Sequence, residues 1–442
     1  MASVLVCSSP LVGHVTPMLA VAAGLVNRGH TVRFLTGQRY ADRVASVGAT
    51  FLPLPPDADF DDSAMDQAFP GRVGLKGPRG IRYDITEIFM RPGKAQYDAV
   101  QSAITTMPTD AVLAESLCMG ASLLLNTPRA ERPAVINCGI VPLSLASRDT
   151  APYGLGIQPK PGALGRVRNR AMTTLTQKLV FGPVQKFADT VSREATGQAY
   201  PGFFMDWPRR ADLLAQFTVP EFEYRRSDLP DTVHFVGPVS QGGGKDAADV
   251  ALPEWWDELD AGRPVIHVTQ GTVANHDFDD LVRPTIDGLA NEDVLVIVST
   301  GGRPESALAG PLPENVRVSS YLPYDQLLPK TDVLVTNGGY GGVQFALRHG
   351  VPLVVAGQTE EKVEVTARVA WSGTGINLRT NRPKPDDVAK AVRTVLADSS
   401  YREEASRIGE AIKASRGVDA LVDLLEALAN HAPSSAARPP VT

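Results

Sequence analysis

Two sets of residues in this chain have the types and spacing that chemistry needs. The first is a histidine and a glutamate. His14 lies in Pro10-Leu11-Val12-Gly13-His14-Val15-Thr16-Pro17, between an apolar run and a helix-like segment. An imidazole there could act as a general base, and a nearby helix N-terminus would favour its neutral form. Glu115 follows the apolar run Ala111–Ala114 and could bond the far ring nitrogen. That contact would set the tautomer and stabilise the imidazolium formed on proton abstraction. Asp110 precedes the same run and belongs at the opposite edge. Read singly, His14 is a turn histidine and Glu115 a surface carboxylate; their placement at two strand ends makes them a candidate pair.

The second set suits an anion. The apolar run Val333–Val335 ends in Asn337-Gly338-Gly339-Tyr340-Gly341-Gly342, and a helix-like segment starts at Val343. Four glycines in six positions at a helix start expose backbone N–H groups and the positive end of the helix dipole. A diphosphate fits that geometry. No Gly-Lys-Ser/Thr follows and the spacing is not Gly-x-Gly-x-x-Gly, so kinase and dehydrogenase readings lack support. Gly271 and Thr272 end another apolar run, and Tyr321-Leu322-Pro323-Tyr324 ends a further one, where an exposed aromatic could stack on a base. Gln358-Thr359-Glu360-Glu361-Lys362 opens a helix with polar groups suited to sugar hydroxyls. Asp59-Phe60-Asp61 and Asp277-Phe278-Asp279 have an Asp-x-Asp form. The former lies in an irregular stretch and the latter reads as a helix start, so no metal site is expected.

The elements that must position these groups alternate as in an α/β protein. Strands are expected at Val4–Ser8, Thr31–Thr36 and Ala111–Ala114, then at Val265–Thr269, Val294–Ser299, Val316–Ser320, Val333–Thr336 and Leu353–Ala356. Helices are expected at Pro17–Asn27, with Thr16 as cap, and at Lys94–Thr106, Asp386–Leu396, Tyr401–Lys413 and Val418–Leu428. Periodicity is lost from Pro53 to Pro92. Phe60, Met65, Phe69, Phe89 and Met90 in that stretch suggest a wall for a greasy ligand, to which Val12 and Tyr153, from a second irregular region at Pro142–Pro161, are added. The division expected is an acceptor domain over 1–235, a glycine-rich linker over 236–252 and a donor domain over 253–412. A terminal helix over 413–430 would pack back on the first domain, ahead of a disordered tail over 431–442.

At 442 residues the chain is long enough for two cores, and its net charge of −6 argues against a nucleic-acid partner. Three cysteines without paired spacing form neither a disulfide framework nor a zinc site. No basic leader or membrane-length apolar run is present, so a cytoplasmic protein is expected. The densest basic run, Arg166-Val167-Arg168-Asn169-Arg170, reads as a solvated helix face rather than a membrane contact.

Taken together these motifs resemble the family 1 glycosyltransferases, which use sugar nucleotides on a GT-B fold. The resemblance rests on Gly13-His14-x-x-Pro17, Val236-Gly237-Pro238, Gly271-Thr272, Leu312–Val318 with Tyr321-x-Pro323, the glycine turn, Gly350-Val351-Pro352 and Arg368. It is nearest to the bacterial branch acting on macrolides, polyketides and flavonoids. It implies two Rossmann-like, doubly wound domains facing a central cleft. It also implies an inverting, metal-independent O-glycosyltransferase moving a hexose from a nucleoside-diphosphate sugar to an apolar small molecule, with no cofactor beyond that co-substrate. A UDP-sugar is favoured and a dTDP-sugar stays open, because Phe345 stands where the family commonly has a ribose-binding Glu.

By the same resemblance His14 is the base and Glu115 takes the place of the usual Asp. Donor contacts fall to Gly271, Thr272, Tyr321, Leu322, Asn337, Gly338, Gly339, Gly341, Gly342, Glu361 and Lys362. Asn337 replaces the family's diphosphate-binding His, and a neutral donor is weaker than a charged one by roughly 1 kcal/mol. Lys362 replaces a Gln and places a cation near the sugar, accounted for by a pairing with Glu361 or Glu364 or by a contact with the diphosphate. The partners expected are a nucleotide sugar and an apolar acceptor, with the chain a monomer or homodimer. The alternative is a non-catalytic GT-B auxiliary protein that activates a partner transferase.

Overall fold

Strands rich in Val, Leu and Ile, apolar on both faces, have to be covered on both sides, and parallel sheets flanked by helices do that. The computed structural model describes residues 1–75, 77–239, 252–272 and 275–430 and contains two such sheets. The first comprises β1 (Ser3–Cys7), β2 (Thr31–Thr36), β3 (Thr50–Pro53), β4 (Ala111–Glu115), β5 (Ala134–Gly139), β6 (Leu213–Gln216) and β7 (Val233–Phe235), in the order β3-β2-β1-β4-β5-β6-β7. The second comprises β8 (Val265–Thr269), β9 (Leu295–Ser299), β10 (Val316–Ser319), β11 (Val333–Thr336), β12 (Leu353–Val355) and β13 (Gly375–Asn377), in the order β10-β9-β8-β11-β12-β13. Every pairing described is parallel.

Side-chain alternation separates two cores on each sheet. In β1, Val4 and Val6 face one core while Leu5 and Cys7 face the other. In the second sheet, Ile266 and Val268 join one core, and Val265 with Leu295 and Ile297 joins another. All three cysteines are buried and free.

Three differences from the sequence expectation bear on function. The first helix, α1, runs Val12–Asn27 and starts five residues early, so Thr16 does not cap it and Pro17 lies inside it. The cap comes from elsewhere: Val12 N donates to Asp62 Oδ2 at 2.7 Å. Secondly, the stretch from Pro53 to Pro92 is not structureless but a series of short helical turns, ending in a helix at Gly77–Tyr83 and a π-helical turn at Asp84–Met90. Lastly, α2 (Gly93–Thr106) follows this stretch, and the first-domain helix α3 (Gly162–Leu175) extends well beyond the basic run 166–170 that alone read as a helix face.

In the second domain α4 (Tyr340–Arg348) follows β11 and α5 (Lys362–Trp371) follows β12. The last helix, α6 (Val418–Asn430), returns to the first domain, where Leu421, Val422 and Leu425 share a core with Met18, Val21 and Leu25 of α1. Gly24 permits this approach, since a Cβ there would collide with the Val418 side chain. Val236 and Val239 also sit in the first core, with Gly417 N donating to Val236 O at 2.7 Å, so the chain passes between domains beside its own return. The glycine-rich part of the expected linker, from 240 to 251, and the expected tail, 431–442, lie outside the described residues.

Candidate active site

Both sheets reverse direction once in their strand order, between β1 and β4 and between β8 and β11. Side chains beyond the carboxyl ends of strands at such a reversal line a crevice. His14 and Glu115 follow β1 and β4, while Gly271 and Asn337 follow β8 and β11. Chain connectivity thus puts one candidate set on each side of the interdomain cleft.

His14 sits in the first turn of α1, and its Nδ1 lies 3.2 Å from Glu115 Oε2. The pair is close but not aligned as a straight hydrogen bond. Glu115 is fully buried and is oriented by two amides, Ser9 N donating to Oε1 at 3.1 Å and Leu117 N to Oε2 at 2.6 Å. Burial alone would push its pKa up, but the imidazole and these amides outweigh burial and hold the carboxyl below its ordinary value. His14 moves the other way. Burial opposes its charge, yet Glu115, with Glu361 and Glu360 from the second domain, raises its pKa above the usual imidazole value. The three carboxylates thus act against the helix end, which by itself would favour the neutral ring. Asp110 accepts from Ser3 N at the far edge of the sheet and cannot reach His14.

The glycine turn forms the start of α4. Gly339 caps the helix, and Gly341 and Gly342 lie exposed in its first turn rather than ahead of it. A Cβ on Gly339 or Gly342 would meet nothing within 4 Å, so the backbone there is open to a ligand. Gly338 is held at φ +85°, and a Cβ on it would lie 2.7 Å from the Thr366 methyl. Asn337 donates through Nδ2 to Gln270 O at 2.6 Å, tying this turn to the one after β8. Gly271 has φ +72°, and its carbonyl accepts from Asn275 Nδ2 at 3.0 Å. Thr272 is exposed beside it. A Gly338→Ala variant should lose about 1–2 kcal/mol of stability from the left-handed backbone alone. It should also weaken nucleoside-diphosphate binding measured by calorimetry.

Ahead of α5, Glu360 adopts φ +55°, uncommon for a residue with a Cβ, and its carboxylate pairs with Lys362. Lys362 is thus partnered by Glu360, not by Glu361 or Glu364. Burial opposes the lysine charge, but Glu360 and Glu361 outweigh it and raise its pKa. Glu361 is itself pushed up by burial, and Glu360 adds to this. Glu364 instead joins Arg368, whose Nη1 lies 2.8 Å from its Oε2, and accepts from Gly154 N and Gly156 N at 2.8 and 2.9 Å. Those glycines follow Tyr153, and their bonds bring the second irregular region onto the second domain. Burial and the Glu364 and Glu361 charges raise the Tyr153 phenol well above its usual value.

Several expected site residues do not serve through their side chains. Leu322 is 6% exposed and packs with Leu295, Ile297 and Leu327. Met90 is 1% exposed within the core beneath β1, so it cannot line the wall. Its neighbour Phe89 does reach the site, stacking on the His14 ring with centroids 5.8 Å apart. Phe60 packs edge-on to Phe69 at 5.0 Å; both of these, like Met65 and Val12, are partly exposed. Tyr321 is 53% exposed, and a Cβ on Gly302 would collide with its ring, while Tyr324 and Phe345 stack on one another. Asp59 and Asp61 bind Gln38 N and Arg39, which brace the loop after β2. Sequence reasoning missed Asp62, Glu360 and the Glu364 anchor. The run of acidic residues around 59–62 was the one visible signal for the first of these.

Comparison with known proteins bears on both halves. Residues 283–428 match the family model described as erythromycin biosynthesis protein CIII-like, C-terminal domain. Residues 12–124 match the glycosyltransferase family 28 N-terminal domain. The chain is 42% identical over 430 residues to 4'-demethylrebeccamycin synthase of Lentzea aerocolonigenes, covering 97% of this chain and 99% of that protein. It is 32% identical to UDP-glycosyltransferase 2 of Phaeomoniella chlamydospora, covering 96% and 95% of the two. The calicheamicin glycosyltransferase CalG4 superposes with a TM-score of 0.72 at 21% identity, covering 98% of this chain and all of that one.

Proposed function

The chain belongs to the family 1 glycosyltransferases of the macrolide and polyketide type, and from that premise we propose that it is an inverting, metal-independent O-glycosyltransferase. It moves a hexose from a nucleoside-diphosphate sugar to a hydroxyl of an apolar small molecule. The observation that carries this reading is the His14–Glu115 pair, whose imidazole feels Glu360 and Glu361 across the cleft. His14 holds Nδ1 against Glu115, which leaves Nε2 for the acceptor. The acceptor oxygen attacks the anomeric carbon, its proton passes to Nε2, and the bond to the diphosphate breaks with the electron pair leaving on phosphate. The open amides at the start of α4, with Asn337 and Thr272, stabilise that charge. Glu361 and Lys362 contact sugar hydroxyls, and Tyr321 stacks on the base. Phe60, Met65, Phe69 and Phe89 form the apolar wall for the acceptor. A UDP-sugar is the favoured donor, because similar proteins are named UDP-glycosyltransferase and UDP-glucosyltransferase.

A matrix of UDP-, dTDP- and GDP-sugars against apolar hydroxylated acceptors tests this, with product mass reporting the transferred hexose. An auxiliary protein would give no product in any combination and no calorimetric binding of nucleoside diphosphates. The pH profile gives an independent check. A base works when neutral, so turnover is full above the His14 pKa and lost as pH falls through it. With that pKa raised, the fall should come above the ordinary imidazole value of about 6.5. Glu115→Gln should move the fall to lower pH while lowering the plateau by at least about tenfold. A profile unmoved by this change would show that Glu115 does not set the charge of the base.

A further inference from the structure

Helix α3 and the turn after it carry their large apolar side chains outward. A surface helix ordinarily buries such residues and turns polar ones to water. Here the inward positions are Gly165, Asn169 and Thr176, all buried. Gly165 lies tight against the Lys160 carbonyl, and Asn169 Nδ2 donates to Arg148 O at 3.1 Å. Leu164, Val167, Leu175 and Leu179 are exposed by 78, 67, 58 and 67%, and with Ala171 they recur every three or four residues as one stripe.

Along this segment of the chain the charge is of one sign. From 150 to 188 the chain has no Asp or Glu but six Lys or Arg, in a protein whose net charge is −6. Arg170 and Lys178 project from the same exposed face, while Arg166 leans 2.9 Å from Asp149 at its edge. The basic run therefore borders an exposed apolar stripe. We propose that this face docks the protein on the surface of an anionic lipid bilayer. The leucines and valine enter the acyl boundary while the cations stay among lipid phosphates, as in a helix lying in the interface plane. Among the described residues no helix is long and apolar enough to cross a membrane, so the contact is peripheral. Pairing of two copies through this face is disfavoured, since it would set cations against cations with no carboxylate to meet them.

Flotation of the full chain with phosphatidylcholine vesicles, with and without an equal part of phosphatidylglycerol, tests the proposal. Binding is expected only to the anionic vesicles and should be lost in molar salt. Leu175→Asp/Leu179→Asp and Arg170→Glu/Lys178→Glu should each weaken it more than about tenfold, with folding checked by circular dichroism, since all four positions are exposed. Three results would overturn the proposal: no binding to anionic vesicles, binding unchanged in both double variants, or a dimer that the leucine variant dissolves without any vesicle binding.

Discussion

His14→Ala is expected to lower turnover by ~10²–10⁴-fold while leaving nucleoside-diphosphate affinity unchanged. The two halves of this result come from the two sides of the cleft. The imidazole is carried by α1 of the first domain, where, among the described residues, the polar group it touches is Glu115. The groups assigned to the diphosphate follow β8 and β11 of the second domain. Removal of the ring takes away the proton acceptor and leaves the amides of α4 in place. It also removes one face of the Phe89 stack, so acceptor KM should rise modestly. A variant that turns over at the wild-type rate would eliminate His14 as the base. A variant that lost nucleotide binding as well would show that the two sets are not separate.

Arg368→Met should cost about 3–5 kcal/mol of stability, read as a fall in the urea midpoint, because it strands buried Glu364 without a counter-charge and leaves Glu223 with Arg226 alone. Arg368 is 1% exposed and lies 2.6 Å from Glu223 Oε1 and 2.8 Å from Glu364 Oε2, with both carboxylates buried. Glu223 also accepts from Leu143 N at 3.0 Å and pairs with Arg226 at 3.2 Å. The cluster thus links the end of the first domain, the loop carrying Tyr153 and α5 of the second. Burial alone would push Glu223 up, but Arg368 and Arg226 outweigh it and hold its carboxyl below the ordinary range. The stability it contributes is therefore complete at neutral pH and is lost only as pH falls below the ordinary carboxylate value through this depressed one. Glu364→Gln in the Arg368→Met background should recover part of the loss by removing one unpaired charge, since Glu223 keeps its pairing with Arg226. An unchanged urea midpoint in Arg368→Met would mean that solvent enters and compensates the cluster.

Most of the fold could be read along the chain because parallel strands buried on both faces must be continuous apolar runs. β2, β8 and β11 fall where periodicity places them, and β1, β4, β9, β10 and β12 differ by a residue. β3, β6, β7 and β13 escaped notice, since three or four residues carry little pattern, and the six-residue β5 was not read as a strand either. Helix α3 was legible only at its basic run for another reason: its inner face, with the turn after it, is Gly165, Asn169 and Thr176, which gives no apolar stripe facing a core.

By itself the sequence determined the α/β class, the two strand-end motifs and the residue types available for base and anion chemistry, since all of these depend on neighbours within a few positions. Tertiary structure decided the rest. It set which carboxylates surround His14 and hence the direction of its pKa, made Asp62 the cap of α1, gave Lys362 to Glu360, and consigned Met90 and Leu322 to the core. Each of these depends on through-space distance and desolvation between segments far apart in the chain, and no local pattern of residues encodes either quantity.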